Sequence, residues 1–140
     1  MYYIRRIIIS LLLLLSLTIN LFSRDIELVK FYLTKTYELL QNNKIILAKE
    51  YLEKSREFAE NFPEYYYLSN KIMQEDRENI HLKSSNAKKL AENLKNNFLI
   101  DQYTLLENCI YYLEKVKDYD RAIKYSKIKM QFKDKINEED

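Results

Sequence analysis

Glycine is absent from this 140-residue chain, and that absence restricts the possible folds more than any other feature. Average usage would supply about ten glycines in this length. Tight turns, β-bulges and phosphate-cradling loops depend on glycine because it reaches positive φ without a steric cost. The composition therefore favours an all-α fold and disfavours a β-rich fold or a nucleotide-binding loop.

The first 23 residues have the pattern of an export signal or a membrane anchor. Arg5 and Arg6 precede an uncharged apolar run from Ile7 to Phe22, and polar sequence begins at Ser23. This order is typical of a secretory signal, but the run also approaches the roughly 17–25 residues that span a bilayer. Cleavage after Ser23 and an uncleaved anchor both stay open, with a buried core helix as a third alternative. Because the basic end stays inside, we expect an exported body, periplasmic or anchored at the outer face of the cytoplasmic membrane.

The charge balance of the body argues against a nucleic-acid partner. The chain has 23 basic and 21 acidic residues, and two of the basic ones lie within residues 1–23. The rest is formally neutral and lacks the positive field that phosphate backbones select. With Cys109 as the only cysteine, an intramolecular disulfide and a cysteine-rich metal site are excluded. We expect no metal and no cofactor.

Apolar residues recur at steps of three and four from Asp25 onward, which is typical of amphipathic helices. The pattern predicts six helices, over about 25–40, 45–62, 64–79, 86–98 and 102–116, and from 122. Pro63 ends the second, since the residue before proline avoids the α region. Ser84 or Ser85 is the predicted N-cap of the fourth helix and Asp101 that of the fifth.

Three alanines mark an internal repeat. Ala48, Ala87 and Ala122 each open the second helix of a pair, at offsets of 39 and 35 residues that fall within the range of helical repeats. We predict three antiparallel helix hairpins stacked as a short α-solenoid over residues 24–136, with a frayed acidic tail at 137–140. One amphipathic hairpin cannot bury its apolar face alone, so stacking is expected.

The segments 37–55 and 111–126 resemble the tetratricopeptide-repeat (TPR) family. Tyrosine and leucine precede a polar turn in both, and an alanine opens the helix that follows. The family's turn glycines are replaced by Asn43 and Lys117, its helix glycines by Thr36 and Ile110, and its early tryptophan by Tyr32 and Leu106. The resemblance implies a concave groove that binds a peptide or protein.

The predicted function is a non-enzymatic interaction module whose first helices present side chains to a protein or peptide partner. The predicted partner-binding residues are Tyr32, Thr36, Tyr66, Asn70 and Asn108. The alternative is a structural or envelope-assembly subunit that self-associates or docks on a larger complex. Tyr112, Tyr125 or Phe132 are candidates for contact with a second copy. Membrane contact is expected only through residues 1–23, if they are not cleaved.

Two further residues permit a catalytic hypothesis that we disfavour. Cys109 could act as a nucleophile with His81 as its base, but no orienting third group is evident. Cys109 lies on the apolar stripe of the fifth helix, where a free cysteine usually behaves as a small buried hydrophobe. The aromatic run from Tyr65 to Tyr67 is predicted to pack between the first two hairpins, with an aromatic contact in a groove as the functional alternative.

Overall fold

The computed structural model describes residues 1–73 and 78–139, without the side chains of Phe22 and of residues 134–139. All six predicted helices are present, and the described residues contain no β-strand, so the all-α prediction is confirmed. The helices are α1 (Tyr2–Gln41), α2 (Ile45–Ser55), α3 (Pro63–Ile72), α4 (Ile80–Glu92), α5 (Gln102–Lys115) and α6 (Tyr119–Glu139), with a 3₁₀ turn at Leu94–Asn96.

The first helix joins the apolar segment to the body without a break. α1 is 40 residues long and includes Ser23, after which cleavage is one of the predicted alternatives. It contains an 18-residue window that is long and apolar enough to cross a membrane, and none of that window is buried. Further along the same helix, Val29, Leu33 and Thr36 are buried in the body. One helix therefore carries both the apolar segment and the first part of the core.

The helices pack mainly as consecutive pairs. The most extensive packing is of α1 with α2 and of α5 with α6, and α4 packs equally against α3 and α5. One core cluster lies between the first and second pairs and contains Val29, Leu33, Ala59 and Leu68. The larger cluster joins the second and third pairs around Leu90, Leu105, Leu106 and Leu113. Ala48, Ala87 and Ala122 are all buried, as the alanine spacing predicts.

The turns after α1 and α5 have the same backbone geometry. Asn43 has φ 59° and Lys117 has φ 63°, which places both in the left-handed region. The next amide donates back across the helix end, from Lys44 to Leu39 and from Asp118 to Leu113, each at 2.9 Å. The second turn repeats the donor and acceptor positions of the first, 74 residues later in the chain. Both turn positions thus adopt the conformation that glycine favours.

Replacing Lys117 with glycine is expected to stabilise the protein by about 1 kcal/mol, because a side chain in the left-handed region costs about 1–2 kcal/mol and glycine removes that cost. Asn43→Gly should gain less, since asparagine tolerates this region. Urea unfolding of the full-length protein in detergent, followed by circular dichroism, measures both changes. Lys115→Gly is the control, because glycine in the last turn of α5 should destabilise. A loss of stability in Lys117→Gly contradicts the assigned turn.

The second helix is shorter than its stripe predicts. The spacing of Ala48, Leu52 and Ala59 predicts a helix to Phe62, but α2 ends at Ser55. The Ser55 hydroxyl donates to the Leu52 carbonyl at 2.6 Å, and the following amides turn to i→i−3 bonds. Serine back-bonding of this kind competes with the regular helix ladder. Ala59 is still buried. The apolar stripe therefore predicted the burial of this side chain correctly, but it predicted a helical backbone where the chain has already left the helix.

The fourth helix begins earlier than predicted and ends earlier as well. The polar stretch 81–86 is not a break, because α4 starts at Ile80. Ser84 is buried in mid-helix, with its hydroxyl bonded to the His81 carbonyl at 3.4 Å, so the predicted serine cap is wrong. The predicted cap of α5 is confirmed, since the Asp101 carboxylate accepts from the Thr104 amide at 2.8 Å.

The two remaining helices differ from the prediction at one end each. α3 ends at Ile72 rather than near Asn79, and part of the predicted remainder, 74–77, lies outside the described residues. α6 starts at Tyr119, three residues before the predicted start at Ala122, and runs to Glu139, while Asp140 lies outside the described residues.

Candidate functional site

The five predicted partner-binding residues are largely inside the protein. Thr36 is fully buried and donates to the Tyr32 carbonyl at 2.8 Å. Tyr66 is 6% exposed and its hydroxyl donates to the Glu60 carbonyl at 2.8 Å. Tyr32 is half-buried, with its ring 6.1 Å from that of Tyr51. Thr36 and Tyr66 thus donate hydrogen bonds inside the protein. Of these three residues, only Tyr32 has a side chain exposed enough to contact a partner.

Of the other two predicted residues, Asn70 belongs to a polar cluster between α3 and α4, and Asn108 lies on α5. Asn70 is buried, donates to the Lys83 carbonyl at 3.1 Å and accepts from the Asn86 amide at 3.0 Å. Lys83 is also buried, and its Nζ lies 5.3 Å from the centre of the Tyr112 ring. Asn108 is half-buried, and its Oδ1 has no hydrogen-bond partner within the described residues. The partner role of all five residues stays a prediction.

An open cleft lies between the C-terminal end of α1, the start of α2 and the exposed side of α3. Its volume is about 360 Å³. Its lining residues are Tyr37, Leu40, Gln41, Asn43, Ile45, Tyr67, Leu68 and Lys71. Of the aromatic run, Tyr67 reaches this cleft, while Tyr66 is buried and Tyr65 is half-buried. The cleft therefore combines two tyrosine rings and aliphatic side chains with one ammonium group.

The electrostatics of the cleft are set by Tyr67 and Lys71. Burial raises the pKa of Tyr67, and Coulomb interactions with Tyr37, Asp101 and Glu107 raise it further. Its hydroxyl is therefore a neutral hydrogen-bond donor at physiological pH. The Lys71 ammonium lies 5.5 Å from the centre of the Tyr67 ring, which favours a cation–π contact. The cleft offers one positive charge beside an aromatic surface.

Sequence reasoning identified Tyr67 but not the rest of the cleft. Ile45 and Lys71 looked like an ordinary helix start and an ordinary surface lysine. They come together only because the turn at Asn43 brings α2 back beside α1, and α3 then packs across both. No local pattern in the sequence reports that juxtaposition.

The candidate nucleophile is shielded from solvent. Cys109 is fully buried and its thiol donates to the Ala87 carbonyl at 3.2 Å. Burial raises the pKa of the thiol from 9.0 to about 12, so it is protonated at neutral pH. His81 is exposed on α4. This environment is that of a small core residue and opposes formation of a reactive thiolate.

A buried carboxylate joins the second and third hairpins. Glu64, in the first turn of α3, is fully buried, and its Oε2 accepts three backbone amides from Phe98, Leu99 and Ile100 at 2.8, 2.8 and 3.1 Å. Nearby, the Asn96 amide donates to the Asn61 carbonyl at 3.0 Å. In the part of the chain that the structure describes, no group of three or more His, Cys, Asp or Glu side chains could hold a metal ion. The role that geometry gives Glu64 is structural.

Comparison with known proteins gives no relative: no family model, curated protein or solved structure matches the chain. Any function therefore rests on the geometry of the chain's own residues.

Proposed function

We propose that the chain is a membrane-anchored protein-interaction module without catalytic activity. Its hairpins stack as a short TPR-like solenoid, and the cleft between α1 and α3 receives a peptide or protein segment. The observation that carries this proposal is the cleft of about 360 Å³ lined by Tyr37, Ile45, Tyr67 and Lys71. Specific recognition commonly uses aromatic anchors with a few polar groups in such a concavity.

Two observations support the stacked arrangement. The first helices contact one another in sequence, α1 with α3 and α3 with α5. The turns at Asn43 and Lys117 repeat the same hydrogen bonds 74 residues apart, as two copies of one unit would. A curved stack of this kind places the first helices along a common face, and the cleft lies on that face.

The continuity of α1 supports an anchor rather than a cleaved signal. The helix passes through Ser23 without interruption, and its later residues Val29 and Leu33 are core residues. Arg5 and Arg6 lie at the other end of the apolar run and keep that end inside. The body then faces the outer side of the cytoplasmic membrane. A single helix as anchor and first repeat helix holds the cleft at a fixed distance from the bilayer.

The chemistry of the cleft favours an extended segment with an apolar side chain next to an acidic one. Leu40 and Ile45 supply aliphatic surface, and the rings of Tyr37 and Tyr67 supply flat aromatic surface. The Lys71 ammonium is exposed and pairs with a carboxylate placed beside the apolar side chain. The protonated Tyr67 hydroxyl adds one hydrogen-bond donor.

Site-specific photocrosslinking tests the cleft, because one of two adjacent isoleucines lines it and the other does not. Ile45 lines the cleft, whereas Ile46 is 78% exposed and does not line it. A photoreactive amino acid at position 45 of the full-length protein, expressed in its native cells, is expected to give discrete adducts with one partner. The same amino acid at position 46 is the matched control. Identical adducts from both positions contradict the assignment of the cleft.

Charge reversal at Lys71 gives the quantitative test. Lys71→Glu is expected to weaken binding of the crosslinked partner roughly tenfold, since one ionic contact is replaced by repulsion. Lys49→Glu makes the same charge change at an exposed position on α2 and should leave affinity unchanged. Titration of the partner against the solubilised full-length variants measures both. Equal losses in the two variants contradict a specific role for the cleft.

A second candidate function, a self-associating envelope subunit, is favoured by one observation on α6. Tyr119, Ile123 and Met130 lie at helical spacing and are all exposed. The residues predicted for this contact are less available, because Tyr112 is buried and Tyr125 and Phe132 are half-buried against the core. Concentration-dependent sedimentation of the full-length protein in detergent distinguishes self-association from the cleft proposal.

A further inference from the structure

The apolar run that precedes the body is shorter than a bilayer core. Ile7 to Phe22 is 16 residues, or about 24 Å of helix at 1.5 Å per residue. The hydrocarbon core is about 30 Å thick, with a polar layer of about 5–8 Å on each side. A short span draws its flanking residues toward the membrane. Leu28, about 9 Å beyond Phe22 along the helix, then lies within the polar layer.

Exposed apolar side chains of the body lie at this level. Leu28 is 48% exposed on α1, and Phe58, in the turn after α2, is 43% exposed. Both line one shallow groove together with Asp25 and Lys54. A second groove of about 490 Å³ places Phe58 beside Ile26. Because α2 returns antiparallel to α1, its C-terminal end lies near the membrane and its start, with Ile46, lies away from it.

We infer that the body rests on the lipid surface through Phe58 and Leu28, with Phe58 inserted among the headgroups. The inference rests on the uncleaved anchor proposed above. Aromatic side chains are enriched at this depth in membrane proteins. The charged residues that line the two grooves are Asp25, Glu57 and Glu60 against Lys30 and Lys54, so there is no basic excess that would require anionic lipid. The occupant of this surface is a neutral phosphatidylcholine bilayer, and the contact fixes the tilt of the body.

Single tryptophans test this contact, because the natural chain has none. Phe58→Trp and Ile46→Trp each place one tryptophan at an exposed apolar position, at opposite ends of the α2 segment. The full-length variants are reconstituted in phosphatidylcholine vesicles, with and without brominated phosphatidylcholine. For Phe58→Trp we expect emission at shorter wavelength than in Ile46→Trp, and quenching by the brominated lipid. Ile46→Trp should show neither.

The outcomes separate this inference from the anchor itself. Vesicle-bound protein whose two tryptophans respond equally to the brominated lipid overturns the inference and leaves the anchor intact. A shift in Phe58→Trp without quenching assigns the surface to a second copy and also overturns it. Protein that does not float with the vesicles, and whose N-terminus is found near Arg24, overturns the anchor and the inference together.

Discussion

Replacing Glu64 with alanine is expected to lower the free energy of unfolding by about 4 kcal/mol. The side chain is fully buried, and one of its oxygens accepts the amides of Phe98, Leu99 and Ile100. These amides belong to the connection between α4 and α5. In the alanine variant all three lose a charged acceptor, and the Ile100 amide has no access to water in its place. Loss of this contact weakens the attachment of α3 to the connection between α4 and α5.

Glutamine at position 64 separates the contribution of the negative charge from the contribution of the side-chain shape, because it removes the charge and keeps the shape. Its carbonyl oxygen can take the place of Oε2, and its amide group then falls at Oε1, which has no hydrogen-bond partner within the described residues. The three amides keep an acceptor, although a neutral one of about half the strength. We expect Glu64→Gln to lose about 1–2 kcal/mol. The order of stability is therefore wild type, glutamine, alanine.

Urea unfolding of the full-length protein in detergent measures this series. Glu50→Ala removes an exposed carboxylate from α2 and is the matched control, with an expected change within about 0.5 kcal/mol. Hydrogen exchange gives a local readout, because the amides of residues 98–100 should lose protection first in Glu64→Ala. If alanine at position 64 is no more destabilising than alanine at position 50, the three-amide contact does not hold the hairpins together.

Glu64 also shows why sequence reasoning stops at local structure. A glutamate one residue after Pro63 reads as an ordinary first-turn acid, which favours the helix N-terminus. Its partners lie 34 to 36 residues later, in a segment with no recognisable acceptor or donor motif. Lys83 is a similar case, since a lysine within a polar stretch predicted as a break is buried inside α4. Both positions depend on contacts between hairpins.

Several features that depend only on nearby residues were predicted correctly, although the end of α2 and the serine cap of α4 were not. The Asp101 cap needs only the amide of Thr104, and the turns at Asn43 and Lys117 need only the helix end just before them. The alanine spacing correctly predicted three buried positions. The candidate cleft was not predictable, because Ile45, Tyr67 and Lys71 meet through the packing of three helices. The local sequence pattern predicted the helices, whereas the packing of those helices decides which side chains share a surface.

Alkaline pH is expected to destabilise the protein through Cys109. The pKa of the buried thiol is about 12, against 9.0 for an ordinary cysteine. Above pH 9 the unfolded chain releases this proton and the folded chain keeps it, so stability falls with rising pH. The stabilising effect of the neutral thiol is complete below pH 9 and is lost progressively up to pH 12. At 1.36 kcal/mol per unit, and with the unfolded thiol already half ionised at pH 9, the loss between pH 9 and pH 11 is about 2 kcal/mol.

Cys109→Ala isolates the thiol from the other groups that titrate in this range. Burial also raises the pKa of Tyr65, Tyr66 and Tyr67, but both proteins contain these tyrosines, so the difference between the proteins cancels their contribution. Tyr125 is the exception, because burial and then Cys109 raise its pKa, so the comparison is made with Tyr125→Phe in both proteins. At neutral pH the alanine variant should be less stable by about 1 kcal/mol, because it loses the bond to the Ala87 carbonyl and some packing. The wild-type protein loses this extra stability as the pH rises above 9, because the Cys109 thiol of its unfolded state then ionises.

The order of the two proteins should therefore reverse near pH 10, with the alanine variant the more stable at pH 11 by about 2 kcal/mol. Urea unfolding of both full-length proteins in detergent at intervals from pH 7 to pH 11 tests this. Parallel curves with no crossing contradict the burial of the thiol, because an exposed cysteine ionises alike in both states. A thiol reagent gives an independent check, since Cys109 should react at neutral pH only at urea concentrations that unfold the protein. A crossing together with such protection would establish Cys109 as a packing residue and remove the nucleophile hypothesis.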